Sequence, residues 1–200
     1  MSDMSESNQK IRIAVFVSGG GTNLQALLDS AARGGIPHGE IALVVSNRDD
    51  AYALERAKQA GVPSAVVKKD EAALLALLKE HDIGLIVLAG YLAILSASFV
   101  KQYAGRIINI HPSLIPSFCG KGFYGLKVHE AALAYGVKVT GATVHDVNEI
   151  PDGGQILLQK AVEVRDGDTP ETLQRRVMEE AEWKLLPQAA ELVCKRLLQS

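Results

Sequence analysis

Asn109 and His111 interrupt an apolar run, Ile107 to Ile110, immediately before Pro112 stops it and Pro116 stops it again. Residues two apart on a strand point to the same side, so both side chains emerge together where the strand ends. The Asn amide can donate an N–H to a developing oxyanion, and an imidazole can give or take a proton near neutral pH. Such a ring needs a carboxylate to hold its tautomer and charge. Asp152, in the turn IPDGG, is the candidate. On spacing alone a strand-end His and Asn are more often satisfied structural groups, and spacing does not bring Asp152 to His111.

A second chemical feature lies near the start of the chain. VFVSGGGTNLQALL sets three glycines between a strand and a helix. A helix N-terminus offers unpaired N–H groups to an anion, and glycine lets backbone approach a phosphate closely. A tight turn needing positive φ is the plainer alternative. The dinucleotide fingerprint fails, because Leu24 stands where it requires glycine and Ser46 and Asn47 where it requires an acid. No Lys follows as in a nucleotide-triphosphate loop. A single phosphate held by Gly21, Thr22 and Asn23 fits, with neither NAD nor ATP.

Those groups need a scaffold, and the apolar pattern supplies one. Ile11–Val17, Ile41–Ser46, Ser64–Val67, Gly84–Ala89 and Ile107–Ile110 read as strands. Helical patterns separate them, from Asn23, across AYALERAKQAG, over Asp70–Glu80 and over Ser96–Tyr103. This βα alternation predicts an α/β fold, a Rossmann-like, mostly parallel sheet with helices on both faces. Lys127–Tyr135 reads as a helix, after which Val137–His145 and Gln155–Val164 form an antiparallel addition to the sheet edge. Thr169 and Pro170 open the last helix as N-cap and first residue, and Pro187 is expected to kink or divide it.

Two hundred residues suit one domain, expected over 11–198 behind a disordered tail over 1–10. A net charge of −2 gives no nucleic-acid footprint, and the longest apolar stretch, from Gly84 to Leu95, is short for a membrane span of about 20 residues. Cys119 and Cys194 form neither a metal cluster nor a disulfide framework, which with the polar N-terminus points to the cytoplasm. His38 and His81 read as exposed turn or helix-end residues and Cys119 as a loop thiol.

In order along the chain, SGGGTNLQALL, LAGYLAIL, INIHPSLIPSF, GATVHDVNEIPDGGQILLQ and AEWKLLP resemble the phosphoribosylglycinamide formyltransferases, folate-dependent enzymes of purine synthesis. The resemblance runs from about Lys10 to Leu192. It implies the formyltransferase fold, Asn109, His111 and Asp152 as catalytic groups, and Gly21, Thr22 and Asn23 as the phosphate loop of the ribonucleotide. Glu182 then contacts the ribose or glycinamide. Leu92, Ala93, Ile94 and Leu95 imply a folate-binding segment, and Asn148, Glu149, Ile150, Pro151 and Asp152 a loop around the pteridine, with Asn109 between them. Ala93 stands where many relatives carry a basic residue, so Lys68 or Lys69 becomes a candidate for the folate tail. The stretch from Cys119 to Gly125 is longer than in several relatives, which leaves Lys127 and His129 near the site without assigned roles. His145 matches a family histidine near the site, and a strand histidine satisfied by neighbours is the equal alternative.

The implied reaction transfers the formyl group of 10-formyltetrahydrofolate, a co-substrate, to the glycinamide amine, with small molecules as partners and a monomer or homodimer as the working form. The electrophile is already activated by its nitrogen leaving group, so no metal is expected. A formyltetrahydrofolate hydrolase would use the same three residues with water as acceptor, usually with a regulatory domain. A methionyl-tRNA formyltransferase would need a further C-terminal domain and a basic surface. A non-catalytic phosphate-binding module is the rival from another class.

Overall fold

A computed structural model describes residues 9–199. Residues 1–8, most of the expected tail, lie outside the described residues. Seven strands form one sheet in the order β3-β2-β1-β4-β5-β6-β7. They are β1 (Ile11–Val17), β2 (Gly39–Ser46), β3 (Ser64–Val66), β4 (Leu85–Leu88), β5 (Ile107–His111), β6 (Val139–Asp146) and β7 (Ile156–Glu163). The first five run parallel, and β6 and β7 continue antiparallel. That is the α/β order expected from the alternation of apolar runs.

Period-two alternation feeds two cores from the same strand. Ile13, Val15 and Val17 of β1 face one side and pack with α1 (Thr22–Ala32), α2 (Tyr52–Gln59), α6 (Pro170–Val177) and α7 (Trp183–Leu198). Ala14 and Phe16 face the other and meet α3 (Glu71–Glu80) and α4 (Ala97–Gln102). Both faces of β1 are therefore dry, which is why its sequence shows no polar alternation. α5 (Leu126–Tyr135) lies against α6. Among the described residues no helix is long and apolar enough to cross a membrane.

Caps explain several boundaries. Ser96 accepts the Phe99 N–H and starts α4, while Thr169 and Thr172 form a reciprocal capping box with Pro170 at the first position of α6. The last helix is not divided at Pro187. Pro187 lies inside α7, which continues through it, and the interruption comes earlier, in a π-helical turn over Met178–Glu182. A Pro removes one backbone donor, and its consequences depend on how the preceding turn is wound; here that turn is already widened.

Candidate active site

Ligand crevices in open α/β sheets form outside the C-terminal ends of the parallel strands, where the strand order reverses. Here the reversal falls between β1 and β4, and β5 ends on the same edge one strand further. The side chains named by the sequence gather there. Asn109 pairs directly opposite His145 across the antiparallel β5–β6 ladder, and His111 opposite Thr143. Directly opposed residues share a face, so the ladder register, rather than any local motif, puts His145 beside Asn109. Asn109 Nδ2 lies 3.1 Å from His145 Nε2. His145 Nδ1 lies 2.8 Å from the Asp146 carbonyl, to which it donates, so Nε2 is the nitrogen turned toward Asn109 and Asp152. His145 thus stands beside Asn109 in the lining of the adjoining cleft.

Asp152 does reach His111. The β6–β7 connection folds back over the end of β5, and Asp152 holds φ 54°, a left-handed conformation that Asp tolerates better than most residues. One carboxylate oxygen stands 3.6 Å from His111 Nδ1 and accepts the Gly120 N–H at 2.7 Å. The other lies 3.6 Å from His145 Nε2 and 3.4 Å from Asn109 Nδ2. Burial alone would raise its pKa, but the His145 contact, the charge of His111 and the Gly120 N–H together outweigh it and hold the carboxyl below its ordinary range.

His111 is buried, and its Nε2 lies 2.9 Å from the Phe118 carbonyl. Both ring nitrogens therefore face oxygens that can only accept. Asn109, His145 and Asp152 line the adjoining cleft of about 720 Å³, whereas His111 sits behind the Phe118–Gly120 segment. His129 of α5 is fully buried, and neither ring nitrogen has a partner among the described residues. Burial first, and then the charge of His111, drops its pKa to about 4, so it is neutral.

The glycine turn lies across β4 from these groups, roughly 10 Å away at ordinary strand spacing. Gly21 caps α1 at φ 71°, and a Cβ there would sit 2.6 Å from the Ala53 Cβ, so the fold itself demands glycine. Gly19 and Gly20 differ. A Cβ on either would meet nothing within 4 Å, and neither has positive φ. Packing does not explain those two glycines, which leave open space beside the turn. The first turn of α1 carries no acidic residue and no side-chain cap among the described residues, so its N–H groups are open to an anion.

Asn23 leaves this turn pointing inward. Its Nδ2 donates to Glu182 Oε2 at 2.7 Å, while its Oδ1 is buried without a partner among the described residues. Glu182 ends the π-helical turn and is buried, and burial pushes its pKa up to about 7 against the opposing Asn23 hydrogen bond. A neutral or half-ionised carboxyl beside an unpaired amide oxygen suits a ligand bearing both donors and acceptors. Ser18 ties this half of the crevice to the next: its hydroxyl donates to Asn47 and accepts the Leu92 N–H at 2.8 Å.

Leu92, Ala93, Ile94 and Leu95 line the cleft on one wall and Asn148, Glu149, Ile150, Pro151 and Asp152 on another. Leu92, Ile94 and Ile150 are exposed there, an apolar rim around polar groups, as in small-molecule clefts generally. Lys68 and Lys69 are not brought to the cleft. Lys68 pairs with Asp49 at 2.7 Å at the end of β3, because the short β3 edge carries that segment outward rather than over β4. Lys127 stacks on Tyr124 outside the cleft lining, its Nζ 2.9 Å from the phenol oxygen. The lining residues missed from sequence are Leu88, Tyr91, Val100 and Val147 and the wall formed by Gly120, Lys121, Gly122, Phe123 and Tyr124. The extra length of that stretch was the available signal.

The formyl transferase family profile matches residues 11–190. The chain is 42% identical over 184 residues to a phosphoribosylglycinamide formyltransferase of Haemophilus influenzae, covering 88% of this chain and 84% of that protein. It is 43% identical over 203 residues to the trifunctional purine biosynthetic protein adenosine-3 of Homo sapiens, covering 98% of this chain but 19% of that protein, so it spans about a fifth of that relative's length. The crystal structure of glycinamide ribonucleotide transformylase 1 from Symbiobacterium toebii superposes with a TM-score of 0.88 at 41% identity, over 98% of this chain and 92% of that one.

Proposed function

The chain belongs to the formyl transferase family, and on that premise we propose that it transfers the formyl group of 10-formyltetrahydrofolate to the amine of 5′-phosphoribosylglycinamide. The products are formylglycinamide ribonucleotide and tetrahydrofolate. One observation carries the reading: an Asn–His–Asp cluster and an open glycine turn share one sheet edge, with an apolar-rimmed cleft beside the cluster. The turn suits the ribonucleotide phosphate, and the cleft suits a pteridine and its aminobenzoyl group.

The amine attacks the formyl carbon, and the carbonyl oxygen becomes an oxyanion. Asn109 stabilises it by turning an amide N–H away from Asp152, whose contact at 3.4 Å is the weaker of its two. His111 supplies the second donor once its Nε2 leaves the Phe118 carbonyl, so substrate binding requires that carbonyl to turn away while Gly120 stays on Asp152. Catalytic hydrogen bonds commonly complete themselves only in the substrate complex. Asp152 stabilises the charged ring from the Nδ1 side. As the tetrahedral species collapses, the bond from carbon to folate N10 breaks and the proton released by the amine moves to N10, with Asp152 relaying it through a water.

Transferase and hydrolase would form the same oxyanion and differ in what holds the nucleophile. Gly21, Thr22 and Asn23 at one end and Glu182 beside them order the ribonucleotide amine, an advantage water does not share. Folate absorbance followed with and without the ribonucleotide, with product identified by mass spectrometry, tests the proposal. Deformylation should be fast only with the ribonucleotide, one formylated nucleotide appearing per folate consumed. Equal rates in both cuvettes would make water the acceptor, and no turnover with either would leave a binding module.

A further inference from the structure

The cleft beside Asn109 has three walls, formed by 91–95, 120–124 and 148–152, and its charge is uneven. Glu149 and Asp152 make the 148–152 wall acidic, and the 91–95 wall carries no charge, with Ala93 at its centre. Lys121 is the only Lys or Arg among the described residues lining the cleft, and it has no ion pair or hydrogen-bond partner among them. Of the other nearby lysines, Lys68 pairs with Asp49, and Lys127 stands outside the lining, resting on the outer side of the wall residue Tyr124.

The backbone carrying Lys121 is held on both sides. Gly120, immediately before it, donates its N–H to the Asp152 carboxylate at 2.7 Å. Phe123, two residues after it, rests edge-on against Phe118 with centroids 6.4 Å apart, and Phe118 packs likewise on Tyr135 at 6.0 Å. Gly120 at φ 85° and Gly122 at φ 95° let the chain double back between these anchors. A lysine so mounted starts beside the catalytic carboxylate and reaches along the cleft on its flexible stem.

A tetrahydrofolate ends in a glutamate, or a chain of them, bearing carboxylates that lead away from the reacting N10. Such a tail is repelled by the Glu149 wall and finds no charge on the Ala93 wall. We infer that Lys121 is the cationic anchor of the glutamyl tail, so the stretch from Cys119 to Gly125 sets how this protein reads that tail. The inference rests on the formyl-folate reading of the cleft.

Initial rates of the full chain would be measured with three formyl donors: a 10-formyl tetrahydropteroate lacking glutamate, the monoglutamate and the triglutamate. In the unaltered protein KM should fall as glutamates are added. Lys121→Gln should raise KM for the glutamylated donors roughly two- to fivefold, the range of a solvent-screened charge contact, with little change in kcat. It should leave KM for the pteroate and for the ribonucleotide unmoved, and Lys121→Arg should restore the tail preference. A Lys121→Gln protein that still distinguishes the three donors as the unaltered one does would overturn the inference. Failure of the formyl-folate reading looks different, since the unaltered protein would then turn over none of the three. In that case equilibrium binding of tetrahydrofolate with and without the glutamate decides, and equal binding by the unaltered protein and Lys121→Gln again overturns it.

Discussion

Glu182→Gln should change how stability depends on pH in a way that no surface carboxylate would. Glu182 is buried, and its pKa stands at about 7 in the folded chain against 4.5 for an unperturbed Glu. Between those values the folded protein keeps a proton that the unfolded chain has released, so stability falls as pH rises through that window and the loss is complete above pH 7. A shift of about 2.5 units corresponds to about 3 kcal/mol. His129 works in the opposite direction. Its pKa of about 4 lies below the ordinary 6.5, so the unfolded chain binds the proton first and stability rises with pH between those values. The two effects nearly cancel from pH 4.5 to 6.5, and the unaltered protein should show a deceptively flat profile there. Gln keeps an acceptor for the Asn23 amide and removes the titration. Thermal unfolding of both proteins from pH 4.5 to 8.5 provides the assay. The difference in Tm between Glu182→Gln and the unaltered protein should grow in favour of the variant by about 6–12 °C from the acid end to the alkaline end, at ~2–4 °C per kcal/mol for a domain of this size. A constant difference across the series would refute the reasoning, because it would mean that Glu182 does not titrate in that window.

Three further outcomes follow from the site. His111→Ala should lower kcat about 10²–10⁴-fold and Asn109→Ala about 10²–10³-fold while both still bind the ribonucleotide, measured by steady-state kinetics and calorimetry; near-normal turnover would remove the assigned role. Gly21→Ala should unfold more readily, because its positive φ and the Ala53 backbone leave no place for a Cβ, whereas Gly20→Ala should keep its Tm and raise KM for the ribonucleotide. Equal melting losses in the two variants would show that Gly20 is also structural. Asp152→Asn should reduce kcat and weaken the link to Gly120, and proteolysis in the 118–125 stretch should quicken if that hydrogen bond holds the segment down.

Local chemistry accounts for what could be read along the chain. Apolar strands such as β1 are buried on both faces and need no partner information to be recognised, and Thr169 with Pro170 marks a helix start through its own backbone requirements. Asn109 and His111 share a side because the strand period is two. Gly21 is legible for the same reason, since positive φ is a local property. The π-helical turn before Pro187 left no local signal; at its end Glu182 meets Asn23, far away in sequence.

Everything that turns these residues into a site required the chain to return on itself. Asn23 and Glu182 are 159 positions apart and meet only because α7 packs against α1. His145 was readable as a strand histidine, but its place beside Asn109 comes from the register of β5 against β6, and a shift of one residue would turn it to the other face. Asp152 reaches His111 through the fold of a hairpin connection, and the same carboxylate pins Gly120 and thereby places Lys121 in the cleft. Periodicity and backbone preference are encoded within a few residues, so the sequence alone determined the order of elements, the exit of Asn109 and His111 and the glycine turn. Which carboxylate, which second histidine and which lysine join them was settled by long-range packing, because pairwise contacts between distant segments leave no period to read.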